Sequence, residues 1–118
     1  MSLIQPEAHD TLVATASHLP HAIAFSLMEA VVGAIRESPP PASLRKSFGS
    51  LQGMTRIAAS PSDMWHDIFL ENKKEVLQAI NSFQKELQRL ADLLRREDSG
   101  RLLAYLKKAR EARLKFFS

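Results

Sequence analysis

The 118-residue chain has no cysteine, so disulfides and thiolate chemistry are excluded. Glycine is scarce, at four residues, and no G-x-G-x-x-G or G-x-x-x-x-G-K-S/T run occurs. The chain therefore carries no backbone cradle for the phosphates of a dinucleotide or a nucleoside triphosphate. β-Branched residues are few, which argues against a sheet. The longest apolar stretch, Ala22 to Ile35, is broken by Ser26, Glu29 and Gly33 and reads as too short to span a bilayer. No signal peptide is read at its start. The expectation is a protein without a membrane partner, compatible with a reducing cytoplasm.

Leu, Ala, Lys, Arg, Glu and Gln are plentiful, a mixture that favours helix. The length fits one domain, and a chain of this size can bury roughly two-thirds of its unfolded surface. Sixteen Lys and Arg against thirteen Asp and Glu give a formal charge of +3. That excess suits an anionic small molecule as well as nucleic acid. The cations are spread along the chain and interleaved with acids, without a recognition-helix pattern, so no nucleic acid is expected.

A first helix is predicted from Pro6 to Arg36. Leu12, Ala16, Leu19, Ile23, Leu27, Val31 and Ala34 recur at three or four residues, the spacing of one helical face. Its second half is apolar nearly all round, as in a buried central helix. Pro20 removes a backbone donor and crowds the carbonyl four residues back, so a kink is predicted near Ala16 to Ser17. Ser38-Pro39-Pro40-Pro41 ends the helix.

Gly49 and Gly53 read as loop punctuation, with a short helical turn at Leu44 to Phe48 and another at Thr55 to Ala59. Ser60 or Ser62 is a candidate cap for a helix carrying Met64, Trp65, Ile68 and Phe69. Asn72 is a candidate cap for a long helix from Lys73 to Arg96. There Val76, Ile80, Phe83, Leu87, Leu90 and Leu94 form a heptad-like stripe built to pack on another helix. Asp92 and Arg96 suit an i,i+4 ion pair. After a turn at Glu97 to Gly100, a last helix from Arg101 to Phe116 would turn Leu102, Leu103, Leu106 and Ala109 inward. The fold class is all-α, a helical bundle with a long central N-terminal helix. The apolar first helix and the heptad stripe ask for more partners than one small bundle supplies. An intertwined homodimer is expected to complete the core.

His18 and His21 lie three apart, on one helical face. Two histidines are a weak metal signal, since a stable zinc site wants three or four ligands, and no metal is expected. On spacing alone the pair reads as structural. Arg56 offers a guanidinium fork that can grip a carboxylate in bidentate fashion, though a lone arginine is usually a surface residue. Asp10 and Asp67 do not form a catalytic pair that spacing can defend.

Two segments change the weight of these residues. H-D-T-L-V-A-T-A-S-H-L-P-H-A-I-A-F runs from His9 to Phe25, and T-R-I-A-A-S-P-S-D-M-W-H-D-I-F-L-E-N from Thr55 to Asn72. Together they closely resemble the C-terminal helical domain of prephenate dehydrogenases, the NAD(P)-dependent enzymes of tyrosine biosynthesis. The likeness runs from Ile4 onward, strongest in these segments and only in pattern beyond Asn72. Residues Met1 to Leu3 read as a leftover of cloning, and 4–118 as the domain. The resemblance implies a parent with a dinucleotide-binding domain ahead of this one, binding NAD or NADP there and none here. It also implies that no catalytic residue lies in this chain, because the family histidine that polarises the substrate hydroxyl belongs to the nucleotide domain.

By the same resemblance His21 lines the prephenate pocket, His18 supports it and Arg56 grips a substrate carboxylate. Trp65 matches a tryptophan that reaches toward the neighbouring subunit's site; its bland reading is a core or interface aromatic. Gly49 and Gln52 fall in the loop bordering the pocket, which in the family takes part in feedback control, so tyrosine is an expected inhibitor. That loop, Phe48-Gly49-Ser50-Leu51-Gln52-Gly53-Met54, departs from the family pattern: Gly53 stands where an acid is common. The implied reaction is oxidative decarboxylation of prephenate to 4-hydroxyphenylpyruvate. Arogenate is the alternative substrate. A small helical chorismate mutase is a competing class, but Arg36, Arg45 and Arg56 are too scattered to support it.

Overall fold

In the computed structural model, residues 5–42 and 48–118 are described. Met1 to Leu3, Ile4, Arg45 and most of the turn expected at Leu44 to Phe48 lie outside them. The described residues form helices and turns and no strand. They divide into two compact units, the first reaching Ile80 and the second Asn81–Ser118.

The first unit opens with one long helical rod. Helix α1, Pro6–Val13, begins with a proline, whose missing N–H costs nothing in the first turn. A π-helical turn follows at Ala14–His18, and then helix α2, Leu19–Glu37. The π turn falls where the sequence predicts a kink, and Pro20 accounts for it. Leu19 donates its N–H to the Ala14 carbonyl, five residues back instead of four. The wider turn accommodates a proline ring that a regular α-turn would press against the Ala16 carbonyl. The rod ends where Ser38 donates to the Ala34 carbonyl, just before the three prolines.

Helix α3, Gly49–Thr55, corrects the reading of Gly49 and Gly53 as loop residues: both are helical. Among the described residues, neither has atoms within contact range of where a Cβ would stand. A 3₁₀ turn at Arg56–Ala59 follows, and it and α3 both lie against α2. Helix α4, Ser62–Glu71, starts on Pro61 with no side-chain cap. The expected serine cap is absent because Ser60 donates its hydroxyl back to the Ile57 carbonyl, closing the 3₁₀ turn.

Helix α5, Lys73–Arg95, runs across the division between the units. Its first turns complete the core of the first unit, where Ala14 of the π turn meets Val76 and Ala79, with Leu19, Phe69 and Ile80 around them. Small residues at this contact let two helices come close. Further along, Asp92 accepts from Gln88 and pairs with Arg95, not with the expected Arg96. Both partners hold its carboxyl below the usual carboxylate range.

In the second unit α5 is closed by a Schellman-type cap. Asp98 donates its N–H to Leu93 and Glu97 to Leu94, with Glu97 at φ 52°, in the left-handed region. Asp98 then caps helix α6, Ser99–Phe116, by accepting from the Arg101 N–H. Tyr105 of α6 donates its hydroxyl to Glu86 of α5, and that bond pushes the phenol up from its ordinary value.

The buried core is thin. Ala14, Ala24, Trp65, Val76 and Ala79 are the buried hydrophobic residues among those described, all in the first unit. No residue of Asn81–Ser118 is buried. Leu103 and Leu106, expected to face inward, are 53% and 50% exposed, because a two-helix unit has no third layer to cover them. Of α2, apolar as it is, the single chain buries only Ala24. By length and composition alone the rod Pro6–Glu37 is long and apolar enough to cross a membrane, a property that core helices of soluble proteins share.

Candidate functional site

Three of the residues singled out from the sequence, His18, His21 and Trp65, converge where the π turn meets α4. Ser17 and His18 lie in the turn, and His21 is the third residue of α2. Trp65 sits on the face of α4 turned toward them, and is 7% exposed. Its indole and the His21 imidazole are stacked, with centroids 3.6 Å apart and planes at 16°. His18 meets the same indole edge-on, at 5.8 Å and 85°. Behind the indole, Phe69 is tilted against it at 5.5 Å, and Phe25 meets Phe69 edge-on. One tryptophan thus meets both histidines and Phe69, and Phe25 joins the cluster through Phe69.

Hydrogen bonds assign the protons. His21 Nδ1 lies 2.9 Å from the Ser17 carbonyl. A carbonyl only accepts, so Nδ1 carries a hydrogen and donates it. The ring's Nε2 is left to meet other groups. His18 Nδ1 lies 3.4 Å from the Asn72 amide nitrogen, which also donates to the Asp10 carbonyl at 3.0 Å. Burial, and then the neighbouring His21, lower the His18 pKa from its ordinary 6.5.

Asn72 is a site residue that sequence reasoning misses. It stands between α4 and α5 and reads locally as a helix cap. Its amide instead reaches 62 positions back along the chain, to Asp10. No local pattern could have signalled that.

Arg56 opens the 3₁₀ turn that lies against α2, the helix carrying His21. Its side chain is exposed and has no ion-pair partner among the described residues. Gly49 and Gln52 are exposed on α3. The chain thus brings His18, His21 and Trp65 into direct contact, and holds Arg56, Gly49 and Gln52 on segments packed against the same helix. Among the described residues no group of three or more His, Asp or Glu gathers in a way that could hold a metal ion.

Such a site can bind and orient. It offers two imidazoles with fixed rings, an aromatic wall and, on the adjoining segment, a guanidinium for an anion. Comparison with known proteins agrees with the fold and the segments involved. The family described as the prephenate dehydrogenase dimerization domain matches residues 5–108. Cyclohexadienyl dehydrogenase of Zymomonas mobilis is 38% identical over 97% of this chain, and prephenate dehydrogenase of Bacillus subtilis 33% identical over 93%. The chain spans only 39% and 29% of the length of those two relatives. The crystal structure of prephenate dehydrogenase from Aquifex aeolicus in complex with hydroxyphenyl propionate and NAD+ superimposes with a TM-score of 0.84. At 41% identity, that match covers 98% of this chain and 40% of that one. The chain belongs to the prephenate dehydrogenase dimerization-domain family.

Proposed function

We propose that this chain is the substrate-holding and dimer-forming domain, residues 4–118, of a cytoplasmic prephenate dehydrogenase. The reaction is oxidative decarboxylation. A hydride passes from the ring carbon bearing the hydroxyl to NAD+ or NADP+, and the ring carboxylate leaves as carbon dioxide, its bond electrons making the ring aromatic. A proton drawn from the hydroxyl as the hydride departs returns to that oxygen, so none is released. The product is 4-hydroxyphenylpyruvate. The nucleotide is assigned to a separate domain, since this chain has no dinucleotide fingerprint. The 118-residue chain alone is expected to form no NAD(P)H.

The observation that carries the reading is the cluster of His18 and His21 on Trp65, with Arg56 on the adjoining segment, in a chain of this family. Prephenate is a dianion, and a guanidinium matches a carboxylate with two parallel bonds. In this reading His21 and Arg56 fix the substrate, with His18, Gly49 and Gln52 bordering it. Trp65 holds His21 flat within its own chain. Fixing a substrate for hydride transfer is a catalytic contribution, because it replaces a random encounter with one geometry.

Arogenate has the same cyclohexadienyl ring. The likeness to an enzyme named for cyclohexadienyl substrates in general favours it as the second reading. Tyrosine, the pathway's product, would act as inhibitor through the α3 segment.

The second copy is the proposed cover for the apolar rod Pro6–Glu37 and for the leucines left exposed on α5 and α6. A membrane is the competing cover for the rod, but charged and polar His9, Asp10, His18, His21 and Glu29 interrupt it.

The test supplies prephenate or arogenate with NAD+ or NADP+ to the full-length enzyme carrying this domain. Carbon dioxide released in step with reduced cofactor from prephenate supports the reading. Turnover of arogenate alone reassigns the substrate, and turnover of neither overturns the proposal.

A further inference from the structure

We propose that Asn72 is a positioning residue for the histidine pair: anchored on the Asp10 carbonyl, its amide holds His18 as the neutral ring with the proton on Nε2. Which groups can donate fixes the arrangement. The Asp10 carbonyl can only accept, so the end of the Asn72 side chain 3.0 Å from it is the NH₂ end. That same nitrogen lies 3.4 Å from His18 Nδ1 and has a second hydrogen to give. An NH₂ group cannot accept, so His18 Nδ1 must. The single proton of the neutral ring is then on Nε2.

Protonating His18 would set an N–H against the amide's own N–H. The surroundings act the same way, since burial and the facing titratable group, His21, both disfavour the cation. Trp65, from α4, contributes no charge. His21 is locked in the opposite sense by the Ser17 carbonyl. The pair therefore presents two unlike edges: Nε2–H on His18, a donor, and Nε2 on His21, which accepts in the neutral ring. A ligand group with both an oxygen lone pair and an acidic hydrogen, a hydroxyl or a carboxyl, is the chemistry that such a pair selects. This last step rests on the reading that the histidines face the substrate; the assignment of Asn72 does not.

The experiment is nitrogen NMR of the ¹⁵N-histidine-labelled chain, which distinguishes a protonated from an unprotonated ring nitrogen. In the wild-type chain His18 is expected with Nε2 protonated and Nδ1 bare. The Asn72→Asp variant replaces the donor by an acceptor of the same shape. It should move the proton to Nδ1 and raise the His18 midpoint by about one pH unit or more. His21 should keep its Nδ1 proton in both, which shows that the variant is folded. A wild-type His18 protonated on Nδ1 overturns the inference without any variant. So does an Asn72→Asp chain whose His21 is unchanged and whose His18 keeps its wild-type form. In the full-length enzyme, Asn72→Asp should raise KM for prephenate and leave that for cofactor alone. A switched tautomer with unchanged KM would sink the substrate reading of His18 while leaving the role of Asn72 intact.

Discussion

The imidazole of His21 lies flat on the indole of Trp65, 3.6 Å centroid to centroid. The indole is also the largest buried side chain among the described residues. Binding geometry and stability therefore share one residue. Trp65→Ala should cost about 3–5 kcal/mol, the usual range for a buried aromatic removed to alanine. Trp65→Phe keeps a stacking surface and should cost clearly less. Thermal melts of the two variants check this. Equal losses would mean that an aromatic ring restored at this position recovers no stability, and would remove the stack as a source of it.

Acid should weaken the fold through His18. Its folded pKa lies below the ordinary 6.5, so between the two values the unfolded chain binds more protons than the folded one. The contribution is present in full above about pH 6.5 and is lost as pH falls through the folded value. Denaturant midpoints at about pH 7.5 and about pH 5.5 should fall with acid, and His18→Gln should flatten that part of the slope. An unchanged slope in the variant would assign the acid sensitivity elsewhere.

Arg56→Ala in the full-length enzyme should raise KM for prephenate about tenfold to hundredfold, the loss of a charge-assisted bond of roughly 1.5–3 kcal/mol. Arg56→Lys should recover part, because it keeps the charge and loses the fork. The cofactor KM should hardly move. A prephenate KM untouched by Arg56→Ala, or a cofactor KM shifted as much, removes this residue from the site.

Much of the fold is legible in the chain itself, and the misses have physical reasons. The long first helix, its disturbance by Pro20 and its end before the prolines all follow from local rules about donors and φ. The His18 and His21 face is equally visible, because three residues on a helix fix a direction. Asn72 is not. As a cap it would satisfy its neighbours, and only the folded chain brings the Asp10 carbonyl within its reach. Gly49 and Gly53 mislead for a related reason: glycine lowers helix propensity without forbidding helix, and packing of α3 on α2 decides the matter. Burial of Leu103 and Leu106 is an inference from periodicity, which says which face is apolar and not what covers it.

What covers them should show in solution. Sedimentation at micromolar concentration is expected to give twice the chain mass. Because folding and association would then be coupled, the melting temperature should rise with protein concentration. A monomer with a concentration-independent melt would contradict the proposed dimer.

Glu97→Gly should stabilise the second unit by about 0.5–1 kcal/mol. Glu97 occupies a left-handed conformation at φ 52°, where a side chain costs roughly 1–2 kcal/mol and glycine nothing. The greater freedom of glycine in the unfolded chain returns part of the gain. Hydrogen exchange at the amides of α6 reports on this unit directly. Faster exchange in the variant would mean that the glutamate side chain holds the turn.

The π turn at Ala14–His18 has one more consequence. It amounts to one residue more than a regular helix would need. Deleting Thr15 would yield a smoother rod and would turn everything before it by about 100° relative to α2. Asp10 would swing off Asn72, and Ala14 would leave its seat beside Val76 and Ala79. At this point local regularity and the three-dimensional assembly are opposed, and the better helix would make the worse protein.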